Sequence, residues 1–149
     1  MWGDVASEVP LANVTSQSIT VTTDGQGLYE FTGALRQSLP ALAGDGLCTV
    51  FVRHTSCSLI IQENADPSAK RDLEQWLKRL VPEQDPLYTH TFEGPDDMPA
   101  HIKAALTATS LSIPIAKGQL VLGTWQGIYL WEHRHQSQRR EVVISVING

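Results

Sequence analysis

Residues 54–66 read His-Thr-Ser-Cys-Ser-Leu-Ile-Ile-Gln-Glu-Asn-Ala-Asp and crowd an imidazole, hydroxyls, a thiol, amides and two carboxylates into one short stretch. They follow Leu47-Cys48-Thr49-Val50-Phe51-Val52, a β-branched, apolar run of central-strand character. Such groups at the end of a strand suit proton transfer, metal ligation or recognition of a polar substrate. If residues 54–61 continue as the partner of that strand, His54, Ser56 and Ser58 share one face, and Thr55, Cys57 and Leu59 the other. Cys57 then reads as a core thiol. Ser56 lies on the His54 side, but Cα atoms two apart on a strand are about 6.5–7 Å apart, too far for a nucleophile pair without a bend. The hydroxyls therefore read as substrate contacts. Asp66 before Pro67 reads as a helix cap. Glu63 is left as the candidate general base, with Asn64 beside it for binding.

His54, His90 and His101 all fall at expected element ends. Three neutral imidazoles and one open position make a catalytic zinc arrangement, and a divalent metal, zinc or, for chemistry on a diphosphate, magnesium, is the cofactor expected. Each histidine alone also reads as an ordinary hydrogen-bonded residue. His101 carries the most weight. A helix capped by Asp97 or Met98 puts it in the first turn, where the macrodipole disfavours imidazolium, with Asp97 near enough to orient its ring. Asp96 and Asp97 read equally well as capping acids.

A second constellation lies in Leu120–Glu132, read as one strand. Gly123 and Gly127 bracket Trp125-Gln126, which suggests a kink that turns Gln126 and Thr124 into a polar pocket and leaves Trp125 on its rim. Aromatic packing beside a bulge is the competing reading. His133-Arg134-His135 suits a chelate across alternate positions, but the polar run to Arg139-Arg140 favours a solvated hairpin tip. Arg140 is the better anion ligand for its bidentate fork, with Arg53 and Lys103 as the other candidate cations.

The elements that must position these groups are short. Ser18–Thr22 alternates as a half-buried strand, and Leu28–Phe31 is expected to pair back on it, followed by a helix capped at Thr32. Leu73, Trp76, Leu77 and Leu80 give a helix after Asp66-Pro67 its apolar stripe, ending at Pro82. A second helix runs from Asp96-Asp97-Met98-Pro99 to about Thr107. Strands follow at Ser110–Ile115, Leu120–Glu132 and Val142–Ile147. The fold expected is α+β: one domain over residues 17–149, a mainly antiparallel sheet or sandwich with two or three inserted helices, after an irregular lead-in over 1–16.

The net charge of −5 argues against nucleic-acid or anionic-membrane partners. No apolar run approaches the length of a membrane span, the N-terminus has no signal-peptide pattern, and Cys48 and Cys57 are the only cysteines. A cytoplasmic protein with reduced thiols is expected.

The motifs His-Thr-Ser-x-Ser at 54–58, Gln-Glu-Asn-x-Asp at 62–66, Asp-Asp-Met-Pro-Ala-His-Ile-Lys at 96–103 and Leu-Gly-Thr-Trp-Gln-x-Ile at 122–128 together resemble the YjbQ-like family. The resemblance implies an α+β sandwich, a homotrimer with sites near subunit boundaries, and a secondary thiamine-phosphate synthase activity. In that reaction a thiazole phosphate displaces pyrophosphate from a hydroxymethylpyrimidine diphosphate. It also implies functional roles for His54, Glu63, His101, Trp125 and Gln126. The substrate expected is a small phosphorylated molecule. The alternatives are a non-catalytic trimer binding a small anionic or heterocyclic metabolite, and a zinc-dependent hydrolase.

Overall fold

A computed structural model describes residues 13–149. Its strands are β1 (Asn13–Thr23), β2 (Gly27–Glu30), β3 (Gly46–Val52), β4 (Cys57–Glu63), β5 (Ser110–Ala116), β6 (Gln119–Leu120), β7 (Gln126–Glu132) and β8 (Gln138–Asn148). The helices are α1 (Thr32–Ser38), α2 (Pro67–Leu80) and α3 (Asp97–Leu106). Two antiparallel sheets form, one ordered β1-β8-β3-β5-β6 and the other β2-β7-β4. The α+β class expected from the sequence is the one observed. No helix among the described residues is long and apolar enough to cross a membrane.

Alternation builds the larger sheet. Cys48, Val50 and Val52 of β3 turn inward beside Ile113 and Ile115 of β5 and Val142, Ile144 and Val146 of β8. They meet Leu59 of β4 and Ile128 and Leu130 of β7 in one core between the sheets. β7 is buried from Gly127 to Glu132 because both of its faces are covered. Its Tyr129 and Trp131 point the other way, onto Leu77 and Val81 and against partly buried Ile102 of α3. α2 starts as its sequence predicts: Asp66 Oδ1 accepts from Ser68 N at 2.9 Å and Pro67 takes the first helical position.

Several expected pairings do not occur. β1 starts at Asn13, inside the expected lead-in, and residues 1–12 lie outside the described part. β2 pairs with β7, not β1, because the Asp24–Gly27 turn, with Gly25 at φ 95° and Gly27 at φ 148°, carries the chain from one sheet to the other. Thr32 caps nothing. Its hydroxyl donates to Glu30 and accepts from Ile128 N, with Phe31 at the cap position. β4 begins at Cys57 and pairs with β7, so His54–Ser56 form a loop between sheets and the alternation assumed there fails. Cys57 and Ser58 are both fully buried. β7 and β8 are not a hairpin either: each belongs to a different sheet, and residues 133–137 cross between them.

Candidate functional site

Two local events bring the strongest group of ligands together. α3 starts at Asp97, and four residues on, one turn along the same face, stands His101. The irregular 81–96 segment then lays His90 against them. His90 Nε2 is 2.7 Å from Asp97 Oδ2, and His101 Nε2 is 3.3 Å from the same oxygen. The two rings are 5.4 Å apart, and one donor atom from each of the three residues falls within 4.8 Å of the others.

The surroundings fix this arrangement. His101 Nδ1 lies 2.9 Å from the Thr55 carbonyl, which can only accept, so Nδ1 carries hydrogen. Its Nε2 then faces the Asp97 carboxylate oxygen, as a lone pair or as a second N–H. A lone pair and a carboxylate held at that separation are reconciled by a cation or a shared proton. Backbone-oriented imidazole is the usual outer support of a metal ligand. Asp97 is itself almost fully buried, and Arg134 Nη1 holds its other oxygen at 2.7 Å. Arg134 Nε also bonds Asp96 Oδ2 at 3.0 Å and Nη2 bonds Glu93 O. Burial alone would raise the Asp96 carboxyl, but the His135 amide and Arg134 hold it below its ordinary range. His90 and His101 keep 50% and 31% of their side chains exposed, so the group opens outward.

His101 lines one hollow of about 240 Å³ with His54, Thr55, Ala104 and Thr109. His90 lines another of about 370 Å³ with Gln84, Tyr88, Thr91 and Met98. The acid and imidazoles therefore stand between two concave surfaces. His54 faces the first hollow, but its Nε2 accepts from Glu141 N at 2.8 Å. Burial and then Arg140 push its pKa below the usual histidine range. The third member beside His90 and His101 is thus Asp97, while His54 stands beside them as a neutral wall residue.

The remaining expected residues separate from this group. Glu63, Asn64, Thr124, Trp125 and Gln126 sit at the far end of β4, about 20 Å away along a seven-residue strand. Residues 121–125 are a loop, not a strand: Gln126 Oε1 accepts from Gly123 N at 2.8 Å, and Thr124, Trp125 and Gln126 are exposed. The buried amide expected there is a turn-closing one. Asn64 N bonds Trp125 O, and Glu63 Oε2 accepts from Asp66 N.

Arg140, expected to take an anion, is committed inside the protein. Its guanidinium pairs with fully buried Glu132 and donates to Ser56 O and Oγ, so Ser56 is tied up with it. Lys103 is two residues past His101, about 200° around the helix, and lies elsewhere. Burial pushes its pKa down, opposed by Glu83.

The expected solvated tip at 133–135 is instead structural. His133 is buried with its Nε2 2.9 Å from Ser58 Oγ, Arg134 braces the acids, and His135 pairs with Glu83 at 2.6 Å. Arg134 is the residue the sequence reading missed. The available signal was the Asp96-Asp97 pair, two adjacent acids with no cation nearby in sequence.

The family model described as UPF0047 protein YjbQ-like matches residues 17–149. UPF0047 protein sll1880 of Synechocystis is 53% identical over 130 residues, covering 86% of this chain and 88% of that protein. UPF0047 protein YjbQ of Escherichia coli O157:H7 is 38% identical over 136 residues, covering 89% and 96%. The crystal structure of the conserved hypothetical protein TT1486 from Thermus thermophilus matches at a TM-score of 0.77 with 35% identity, covering 86% of this chain and 97% of that one. The match in sequence runs through the motif segments 54–66 and 96–103, and the match in fold runs through the strands and helices that present them: this chain belongs to the YjbQ-like UPF0047 family.

Proposed function

We propose that the protein is an enzyme for a small phosphorylated substrate, working at a divalent-metal centre on His90, Asp97 and His101. The observation that carries this is the convergence of His90, buried Asp97 and His101, whose donor atoms lie within 4.8 Å of one another at an outward-opening face. Two imidazoles and one carboxylate suit zinc or a similar borderline ion better than magnesium, which prefers oxygen and water. Such a cation supplies Lewis-acid charge to a phosphate oxygen when bound.

The chain's own residues do the rest. Arg134 keeps one Asp97 oxygen occupied, so the other stays aimed at the imidazoles. His54, held neutral, and Thr55 form a wall of one hollow, and Tyr88 and Met98 help shape the other. Two hollows meeting at one centre suit group transfer between two bound molecules. That supports the reaction implied by the family resemblance, in which a thiazole phosphate nitrogen attacks a pyrimidine methylene and pyrophosphate departs with the C–O electron pair. Buried, unpaired Cys48 and Cys57 suit a reducing compartment, so the enzyme is assigned to the cytoplasm.

A homotrimer is part of the proposal. The outer face of the larger sheet exposes Val14, Leu47, Phe51 and Ile147, an apolar surface available to a second copy. Subunit contact is also what would bring Glu63, Asn64, Thr124, Trp125 and Gln126 near the histidines of a neighbour. Light scattering tests the assembly: a stable monomer at micromolar concentration removes it.

The activity test uses protein purified without a histidine tag. Metal analysis should find near-stoichiometric zinc, lost in His101→Ala. Pyrophosphate release from the pyrimidine diphosphate should require the thiazole phosphate. Release into water alone identifies a hydrolase, and metabolite binding without turnover overturns the enzyme reading.

A further inference from the structure

Lys103 is a buried cation that the histidine site does not employ. Only 3% of the residue is exposed. Among the described residues its ammonium makes no hydrogen bond or ion pair, and no fully enclosed side-chain nitrogen lacks a partner. The ammonium therefore keeps some open surface. Of the two hollows that Lys103 lines, one of about 10 Å³ and one of about 310 Å³, only the larger has room for more than a water. Glu83 and Asp96 are the carboxylates whose charge reaches it. Both are committed: Glu83 to His135 Nε2 at 2.6 Å, and Asp96 to Arg134 and the His135 amide. A desolvated ammonium without a counterion is costly, and a bound anion relieves that cost.

We infer that the hollow of about 310 Å³ lined by Gln26, Lys78, Val81, Glu83, Lys103 and His135 binds the phosphate group of a small molecule, with Lys103 at its floor and Lys78 at its rim. Two ammonium groups, with the Glu83 carboxylate of the same lining turned onto His135, suit a phosphate monoester, which carries close to two negative charges near neutral pH. The volume is at the small end of metabolite sites, enough for a phosphate and a modest organic group. This hollow shares no lining residue with either hollow beside His90 and His101. It is a second site, and it stands whether or not the histidines hold metal.

The test titrates inorganic phosphate, then pyrophosphate, into protein kept in chelator, following heat by calorimetry and the unfolding midpoint in parallel. Wild type should bind phosphate. Lys103→Met should weaken binding roughly 10- to 100-fold, the worth of one charge-assisted hydrogen bond, and Lys78→Gln by several-fold. His90→Gln should bind as wild type does. Lys103→Met keeps the volume and removes an unpaired charge, so without phosphate its midpoint should equal or exceed that of wild type. If that variant does not fold, exposed Lys78→Gln carries the test. No binding by wild type at millimolar phosphate overturns the inference. So does unchanged affinity in the lysine variants, or a loss confined to His90→Gln, which would place the ion on the histidines.

Discussion

Replacing His133 by Gln should remove a defined share of the acid sensitivity of the fold. Burial first, then the charges of Lys103 and Arg140, push the His133 pKa down from 6.5 to about 3. The native imidazole thus stays neutral while the unfolded chain takes up a proton below about pH 6.5. The unfolded state then binds more protons than the native one, so stability is complete above pH 6.5 and drains away as pH falls towards 3. Each pH unit inside that window is worth about 1.4 kcal/mol, and from pH 7 to pH 5 the loss comes to about 2 kcal/mol. Against a total of about 5–15 kcal/mol for a domain, that is readily measured. Urea unfolding at both pH values should show the wild-type midpoint falling by about 1 M more than the variant's, for a typical slope. Gln keeps a partner for Ser58 Oγ, so the variant should still fold, with a lower midpoint at pH 7. His54, whose pKa is also lowered, and Asp96 titrate in both proteins and cancel in the comparison. An equal pH 7-to-5 loss in both would show that His133 accepts its proton in the native state, and the reasoning would fail.

Glu132→Gln should cost about 3–5 kcal/mol, read by chemical unfolding, because it leaves the buried Arg140 guanidinium without its counterion. The lost carboxylate also accepts from Thr23 Oγ1 and from the amides of His133 and Arg134. Asp66→Ala should lower the urea midpoint through the lost cap on Ser68 N, with metal content unchanged. Burial pushes the Cys48 thiol up to about 11 and Cys57 to about 12, so neither should react with a disulfide reagent at pH 8 until urea unfolds the chain.

What could be read from the sequence was what one segment settles alone. Asp66-Pro67 and the Leu73–Leu77 spacing define α2 because cap and stripe are local. Asp97 and His101 belong together because four residues of helix make them neighbours. Strand pairing was not legible: β3 and β4 are adjacent in sequence and both apolar, yet separate sheets claim them. The same long-range choice hid Arg134, whose role depends on β7 and β8 parting company after Glu132. Gln126 misled for the opposite reason. A polar residue between glycines satisfies a pocket or a tight turn equally well, and the Gly123 amide decides for the turn. Arg140 looked free because its partner, eight residues upstream, lay beyond a stretch read as a solvated tip.

The position of β8 has a consequence for how the chain must be made. It lies between β1 and β3, so the last of the described strands to be synthesised is the one that joins β1 to the rest of the larger sheet. Until then β1 has no partner in that sheet, and one edge of β3 stays open. Contacts spanning nearly the whole chain close late and fold slowly, and the waiting edges are aggregation-prone. Yield should therefore be more sensitive to lesions in Val142, Ile144 and Val146 than to equal ones in α1. A chain stalled before β8 should be a substrate for chaperones, not a smaller version of the protein.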